Sequence, residues 1–590
     1  MSWIFGAIPK ARLNETKLLS IINSKIEFKY YSDKIIIYAG GLDSNLHCFE
    51  NNSSKKSGWV VSGIGINSIN GSSKILEQND WEELLEKRNF DNEFENMDGH
   101  FVAISWDVNF VKIHSDILGL RDIYIGENEN GIFFSTNVVW LSKIIDLEID
   151  FNEFSSRWLL FNQISSKSIF KGIERIVAGR SAIINLTGNL NVKHKDYNWL
   201  PSSKENKYGV EEYSSRLNSL INLSLPPKTH LSLSLSGGMD SRVILSYLLK
   251  NKTDSFDTHT FGDPNHPDSK IAQDIAKRFG IKHEQFNQGL SEITKSIDDI
   301  SEYTSQTLVN NAASSIIQLQ NYSFLKGRNV VLVDGGFGEI WRREFFYKLY
   351  LQGRNALIDG DINKITPYLM LPRADIFNNE TSELMSWGIA EQLTELFAKL
   401  PVIKKDNVGN WLDIFAIKTR LTNYYSHEQA RLDNLLTGVM PFLQPSVMSN
   451  LFNMPTRLRQ NGKLFRKIIN SNSPELKKFE LAKGLSTHPY FFNSLQSRIW
   501  GIAKKRIGLS KYQNNNSHIL LNSLKEYVCD ILNSRNVKET SYYDYIKVKN
   551  IVERYYNGDS SYSNELDWWL SFELFRKSIF NEKDKIDLSH

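Results

Sequence analysis

Residues 229–235 read THLSLSL, with leucines at 231, 233 and 235 alternating with polar residues, which is the two-residue period of a strand. In residues 242–250 the apolar positions are Val243, Ile244, Leu245, Leu248 and Leu249, at helical spacing. The pattern predicts a strand that turns into a helix through Ser236, Gly237, Gly238, Met239, Asp240 and Ser241. Two glycines at such a corner let the backbone approach closely and aim several N–H groups at one spot, at the positive end of the helix. A phosphate or pyrophosphate suits that spot. Ser236 and Ser241 add hydroxyl donors, and Asp240 offers a hard oxygen for a phosphate-bound Mg²⁺.

The same reading divides the chain. Up to about residue 195, strand-like runs at 34–38, 58–64, 100–106, 110–114 and 131–135 are separated by Gly, Asn and Asp turns. Helical periodicity there is confined to places such as 81–87, and a layered β-rich domain is predicted. From about 210, strand, turn and helix alternate: THLSLSL and its helix, then a strand at 258–262, a helix at 268–280 and the apolar run 330–333. That predicts a parallel sheet flanked by helices, with ligands beyond the carboxyl ends of its strands. Beyond about 350 the pattern is mostly helical, and the polar break at 512–517 reads as a solvated loop. A second G-G-x-D-S, Gly40 to Ser44, lies between two strand-like stretches and is predicted to be a hairpin turn, since no helix follows it.

Composition narrows the classes. With 590 residues, two or three domains are expected. The 70 basic and 67 acidic residues leave a net charge of +3, so nucleic acid is not an expected partner. No apolar run is long enough to span a membrane, and the start MSWIFGAIPKARL lacks the long apolar stretch of a secretory signal, so a soluble cytoplasmic protein is expected. Cys48 and Cys529 are far apart in sequence and support neither a disulfide framework nor a cysteine zinc site.

S-G-G-x-D-S is the pyrophosphate loop of enzymes that split ATP into AMP and pyrophosphate; no G-x-x-x-x-G-K-[ST] loop occurs. DGHFVAISWD at 98–107 and SDILGLRDIY at 115–124 are similar to G-x-F-A-x-x-x-W-D and R-D-x-x-G-x-x-P-L-Y, and FFSTN at 133–137 to F-A-S-E. Thr260, Phe261 and Gly262, with Asp268, Ala272, Ala276, His283 and Glu284, resemble the strand and helix that complete a nucleotide pocket. MPFLQ at 440–444 resembles V-P-F-L-D, and Leu481-Ala482-Lys483-Gly484 a late K-G segment. Together these segments resemble the asparagine synthetase class B superfamily. The resemblance implies an Ntn-hydrolase-like, layered β-rich glutaminase-type domain over 1–200 and, over 205–590, an α/β ATP-pyrophosphatase domain with a parallel sheet. It further implies ATP and Mg²⁺ as cofactors, with Leu235, Ser236, Gly237, Gly238, Asp240, Ser241, Thr260, Phe261, Asp334 and Gly335 around ATP. Asp240 and Glu339 would face the metal, and Lys483 and Glu339 would be catalytic.

Two departures matter. Glutaminases of this family use the thiol of a cysteine at the mature N-terminus, whose own amine is the base. Here the second residue is Ser2 and the nearest cysteine is Cys48, so no glutaminase activity is expected. Absence of that cysteine resembles the β-lactam synthetases, carbapenam synthetases and lasso-peptide cyclases of the superfamily, where a substrate's amine replaces ammonia. In the second departure, VDGGFGEIWRR at 333–343 stands where the family has S-G-x-G-x-D-E, and Gly338 replaces the magnesium-facing Asp. Asp334 and Glu339 remain as carboxylates on either side.

Three readings follow. The first is an AMP-forming ligase that adenylates a carboxylate and couples it to an amine of its substrate, a peptide macrolactam being the narrower form. The second is an amidotransferase using free ammonia, or ammonia from a separate source, on a small or sugar acid. The third is a silent homologue that only binds nucleotide or partners. Arg342 and Arg343 are expected to be solvated rather than phosphate or carboxylate contacts, and His283 to be structural. Arg498, Lys504, Lys505 and Arg506, with Ile499, Trp500, Ile502 and Ile507, are expected to form a solvated face over an apolar core.

Overall fold

The computed structural model describes residues 2–51, 56–69, 72–86, 94, 97–187, 190–197, 199–201, 209–251, 256–287, 297–484, 486–506, 516–580, 585–586 and 588. With strands numbered along the chain, one antiparallel sheet runs, in spatial order, β11 (Ile173–Ile176), β9 (Ile123–Asn128), β10 (Gly131–Ser135), β1 (Trp3–Pro9), β3 (Ile36–Gly40), β2 (Phe28–Tyr31). A second runs β13 (Val192–Asp196), β12 (Arg180–Asn185), β8 (Phe110–Ser115), β7 (Asp98–Trp106), β5 (Gly58–Ile69), β4 (Leu46–Glu50), with β6 (Ser72–Ile75) beside β5.

The two sheets face each other through Ile4, Ile37, Val60, Val102, Ile104, Ile113 and Phe134, all buried. Alternation along β1 sends Ile4 and Ile8 into this layer and Trp3, Phe5 and Ala7 to the opposite face, under helices that bring Trp158, Trp569 and Phe572. The back of the second sheet is covered as well: Val61, Phe101 and Ala103 share one core with Leu233, Val243 and Val331 of the next region. The central strands are therefore dry on both faces, which explains why they read as continuous apolar runs, while the edge strands β2 and β13 stay largely exposed. The layered β-rich reading holds.

The five-stranded parallel sheet has the order β16 (His283–Phe286), β15 (Phe256–Phe261), β14 (His230–Ser234), β17 (Val330–Val333), β18 (Thr437–Val439). Helix Met239–Asn251 follows β14, and helix Pro267–Phe279 follows β15 and ends on left-handed Gly280. No helix among the described residues is long and apolar enough to cross a membrane.

Three expectations need correcting. The stretch after β3 is not a hairpin, because β3 pairs with β1 and β2 while β4 pairs with β5; the chain crosses there from one sheet to the other. Gly41, at φ 135°, makes that crossing directly over Ser2, where a Cβ would have no room. Helix Ser494–Arg506 does not lay its apolar side on a core: Leu495, Ile499 and Ile502 are 61%, 60% and 56% exposed. Ile507 and residues 512–515 lie outside the described residues, whereas Asn516 and Ser517 open helix Asn516–Ser523 instead of forming a loop.

Candidate active site

The corner at 236–241 sits at the carboxyl end of β14, beside the carboxyl end of β17, where a parallel sheet places its ligands. Its amides are differently used than expected. The Ser236 N–H donates to Ser241 Oγ (3.2 Å), the Gly238 N–H to Ser236 Oγ (3.1 Å) and the Gly237 N–H to Asp268 Oδ1 (3.0 Å). The cradle of three amides is thus closed by its own hydroxyls and by Asp268. Neither glycine has a left-handed φ. Gly237 serves close approach instead, since a Cβ there would stand 2.8 Å from the Ala482 Cβ.

That approach brings in a segment more than two hundred residues away. The Ala482 N–H donates to the Gly237 carbonyl at 2.9 Å. Arg242, fully buried, donates to the same carbonyl (3.2 Å) and to the carbonyls of Leu476, Phe479 and Glu480 at 3.3, 3.0 and 2.7 Å. It pins the approach to the hairpin of β19 (Leu481–Lys483) and β20 (Ser486–His488), so that Lys483 faces the corner.

From there a row of charges runs through the site. Arg342 grips Asp240 with two parallel N–H groups, Nε to Oδ1 at 2.7 Å and Nη2 to Oδ2 at 2.9 Å. Its Nη1 meets Glu344 at 2.9 Å, and Glu344 meets Lys483 Nζ at 3.0 Å. Burial raises the Asp240 carboxyl against the pull of Arg342. Burial also opposes the Arg342 charge, but Asp240 and Glu344 outweigh it and hold the guanidinium firmly protonated. Glu344 feels burial first, yet Arg342 and Lys483 keep it below the ordinary carboxylate range.

The arginine pair is therefore not solvated, and the sequence expectation is overturned. Arg343 takes a left-handed backbone, φ 57°, at the end of helix Glu339–Arg342, and this sends it away from Arg342 into a buried pair with Asp413, which Arg459 also joins. Neighbours in sequence serve two different places.

Ser236, Gly238, Asp240, Ser241, Asp334, Gly335, Glu339 and Lys483 all line one cavity of about 410 Å³. Leu235 is buried in the core behind it. Thr260 spends its hydroxyl on the Leu235 carbonyl at 2.7 Å, and Phe261 packs on Tyr322 with ring centres 4.5 Å apart; neither lines the cavity. His283 opens β16, at the opposite end of the sheet, and bonds Thr258 at 2.9 Å. Sequence reasoning missed Arg242 and Glu344; only long-range packing reveals them.

The metal expected from the resemblance does not fit this arrangement. Both oxygens of Asp240 belong to Arg342, position 338 carries no carboxylate, and among the described residues no group of three His, Cys, Asp or Glu side chains is placed to hold an ion.

At the other end of the chain, Ser2 is fully buried and its hydroxyl accepts the Leu42 N–H at 3.3 Å. The motif residues around it fasten the two regions together. Arg121 pairs with Asp433, His100 Nε2 lies 3.0 Å from the same carboxylate, Ser446 donates its N–H to Asp98 at 2.8 Å, and Gln444 accepts the Gly99 N–H at 2.7 Å.

The corner thus lies at a switch in a parallel sheet, beside an antiparallel sandwich, in a mixed α/β protein. Residues 222–470 match the family described as Asparagine synthase, so this segment is similar to the asparagine synthetase-like superfamily. No curated protein matches the chain. Among solved structures, one described as the allosteric regulatory enzyme of purine biosynthesis is 10% identical, with a TM-score of 0.20 over 60% of this chain and 72% of its own. Glutamine phosphoribosylpyrophosphate amidotransferase from B. subtilis, complexed with ADP and GMP, is also 10% identical, with a TM-score of 0.20 over 62% of this chain and 73% of its own. Overlap that weak carries no argument about this site.

Proposed function

We propose that the protein is a ligase that adenylates a carboxylate with ATP, releasing pyrophosphate, and passes the acyl group to an amine, releasing AMP, without hydrolysing glutamine. The observation that carries this reading is the row Asp240, Arg342, Glu344, Lys483, unbroken from the corner at the strand end to the hairpin across the cavity. In this reading residues 205–590 are the ligase domain and 1–200 a glutaminase-like domain without its nucleophile.

A free carboxylate has no adequate leaving group, and adenylation supplies one. The substrate oxygen attacks the α-phosphorus and the bond to pyrophosphate breaks, so negative charge grows on the departing oxygens. Arg342 is a fixed cation at that place, held by two carboxylates before the reaction starts, and such preorganised charge needs no rearrangement as the bond breaks. When the amine attacks the acyl carbon, Lys483 faces the oxyanion that forms, and Glu339 is the carboxylate placed to receive the amine's proton. Glutamine independence is supported by Ser2, a poor nucleophile without a base, which is buried and already engaged by Leu42. A peptide whose own amine closes a macrolactam is the narrower form of the same chemistry.

The test is exchange of labelled pyrophosphate into ATP, with a panel of acids. Exchange that depends on an acid is expected. Nucleotide binding without exchange by any acid would leave only a silent homologue.

A further inference from the structure

A second cavity, of about 480 Å³, opens on the first and shares Glu339, Glu344, Lys483 and Ser494 with it. Its own walls are rings and aliphatic groups: Phe161, Phe345, Phe346, Tyr347, Tyr368 and Leu371. Two arginines stand among them, Arg420 and the exposed Arg498. Arg420 lines this cavity with its guanidinium 4.5 Å from the Tyr424 ring centre and 5.8 Å from those of Phe161 and Phe345. It has neither carboxylate nor hydrogen-bond partner among the described residues, and its Nε is buried without an acceptor. Arg342, Arg242 and Arg466 are tied to carboxylates or carbonyls, whereas Arg498, which also lines this cavity, is exposed and rests over the Tyr347 ring at 4.6 Å.

Rings offset part of the cost of holding a cation away from water, but they accept no N–H bonds in the plane of a guanidinium. A guanidinium left open among rings is built for a planar anion that enters with its ligand. The segment that carries it, Ile417–Tyr425, is a π-helix, a rare form frequently found at functional sites. Tyr425, on the same segment, lines the first cavity.

We infer that this cavity holds the carboxylate substrate, and that the substrate is a dicarboxylate with an aromatic or large apolar body. One carboxylate reacts beside Lys483, the body lies on the rings, and the second carboxylate is held by Arg420. This rests on the ligase reading and names its substrate class.

The test uses the full chain with a non-hydrolysable ATP analogue and two probes measured by calorimetry, the dipeptide Asp-Phe and its C-terminal amide, which lacks the second carboxylate. Asp-Phe is expected to bind at least about tenfold more tightly than the amide, the worth of a charge-assisted hydrogen-bonded pair. Arg420→Met should erase that ratio while nucleotide affinity stays unchanged, and Arg420→Lys should keep part of it. Equal affinities for the two probes in the unaltered protein, or binding of neither, would overturn the inference and needs no variant to fold. Failure of the ligase reading looks different: no nucleotide binding, or no pyrophosphate exchange with any acid.

Discussion

Gly338 and Asp240 share a space that holds only one of them: a Cβ built on Gly338 would overlap the Asp240 carboxyl carbon and stand 2.7 Å from both of its oxygens. The departure from the family's Asp at this position is thus coupled to the pairing of Asp240 with Arg342. Restoring the family residue, Gly338→Asp, is expected to break that pair and lower pyrophosphate exchange at least about a hundredfold, a loss of roughly 3 kcal/mol in transition-state stabilisation. An active Gly338→Asp enzyme would refute this coupling.

Asp240→Ala removes the acceptor of two Arg342 N–H groups and should abolish AMP formation. Its ionisation also sets a pH limit. Burial pushes the Asp240 carboxyl up to about 6, so the charged form that Arg342 grips is present above that pH and lost as the pH falls through it. Exchange activity should therefore decline below about pH 6; a rate that stays flat from pH 8 down to pH 5 would contradict this.

Arg242 touches no part of the cavity, yet it ties four carbonyls around the strand that carries Lys483. Arg242→Met should lower the maximal exchange rate more than it raises the KM for ATP, because it misplaces Lys483. It should also cost on the order of 2 kcal/mol in urea unfolding, from carbonyls left without donors. Unchanged kinetics in a correctly folded variant would separate the corner from the hairpin.

Asp433 is the buried carboxylate between Arg121 and His100, and it joins the sandwich to the parallel-sheet region. Asp433→Ala leaves the Arg121 charge buried and unpaired, which should destabilise the full chain by about 3–5 kcal/mol. Ser2→Ala, in contrast, removes an acceptor for the Leu42 N–H and a long donor contact to the Asp433 carbonyl, and should leave acid-dependent exchange unaltered. Loss of exchange in Ser2→Ala would assign that hydroxyl a role this structure does not give it.

Local pattern was a sound guide wherever short range decides. The alternation in THLSLSL, the helical spacing after it and the glycine corner between them all stand in the structure, because a strand, a cap and a first turn depend on neighbouring residues. The parallel sheet and the layered sandwich followed from the order of such pieces. What a local pattern could not reveal was which partner each charge would find. Arg342 and Arg343 look alike in sequence and differ by a single left-handed residue at the end of a short helix. DGH at 98–100 was legible as a family segment, but its use as a fastener to Gln444, Ser446 and Asp433 depends on how two regions pack.

By itself, then, the chain's sequence determined the element types, the corner at 236–241 and the resemblance of residues 222–470 to a family, since these rest on periodicity, glycine placement and motif. Tertiary structure alone decided that the corner's amides are closed by Asp268 and two serines, that Arg342 meets Asp240, and that Arg420 is left open among rings. The physical reason is range: a backbone turn is settled within a few residues, whereas the energy of a buried charge is set by whichever groups the fold brings within a few ångströms, however distant they are along the chain.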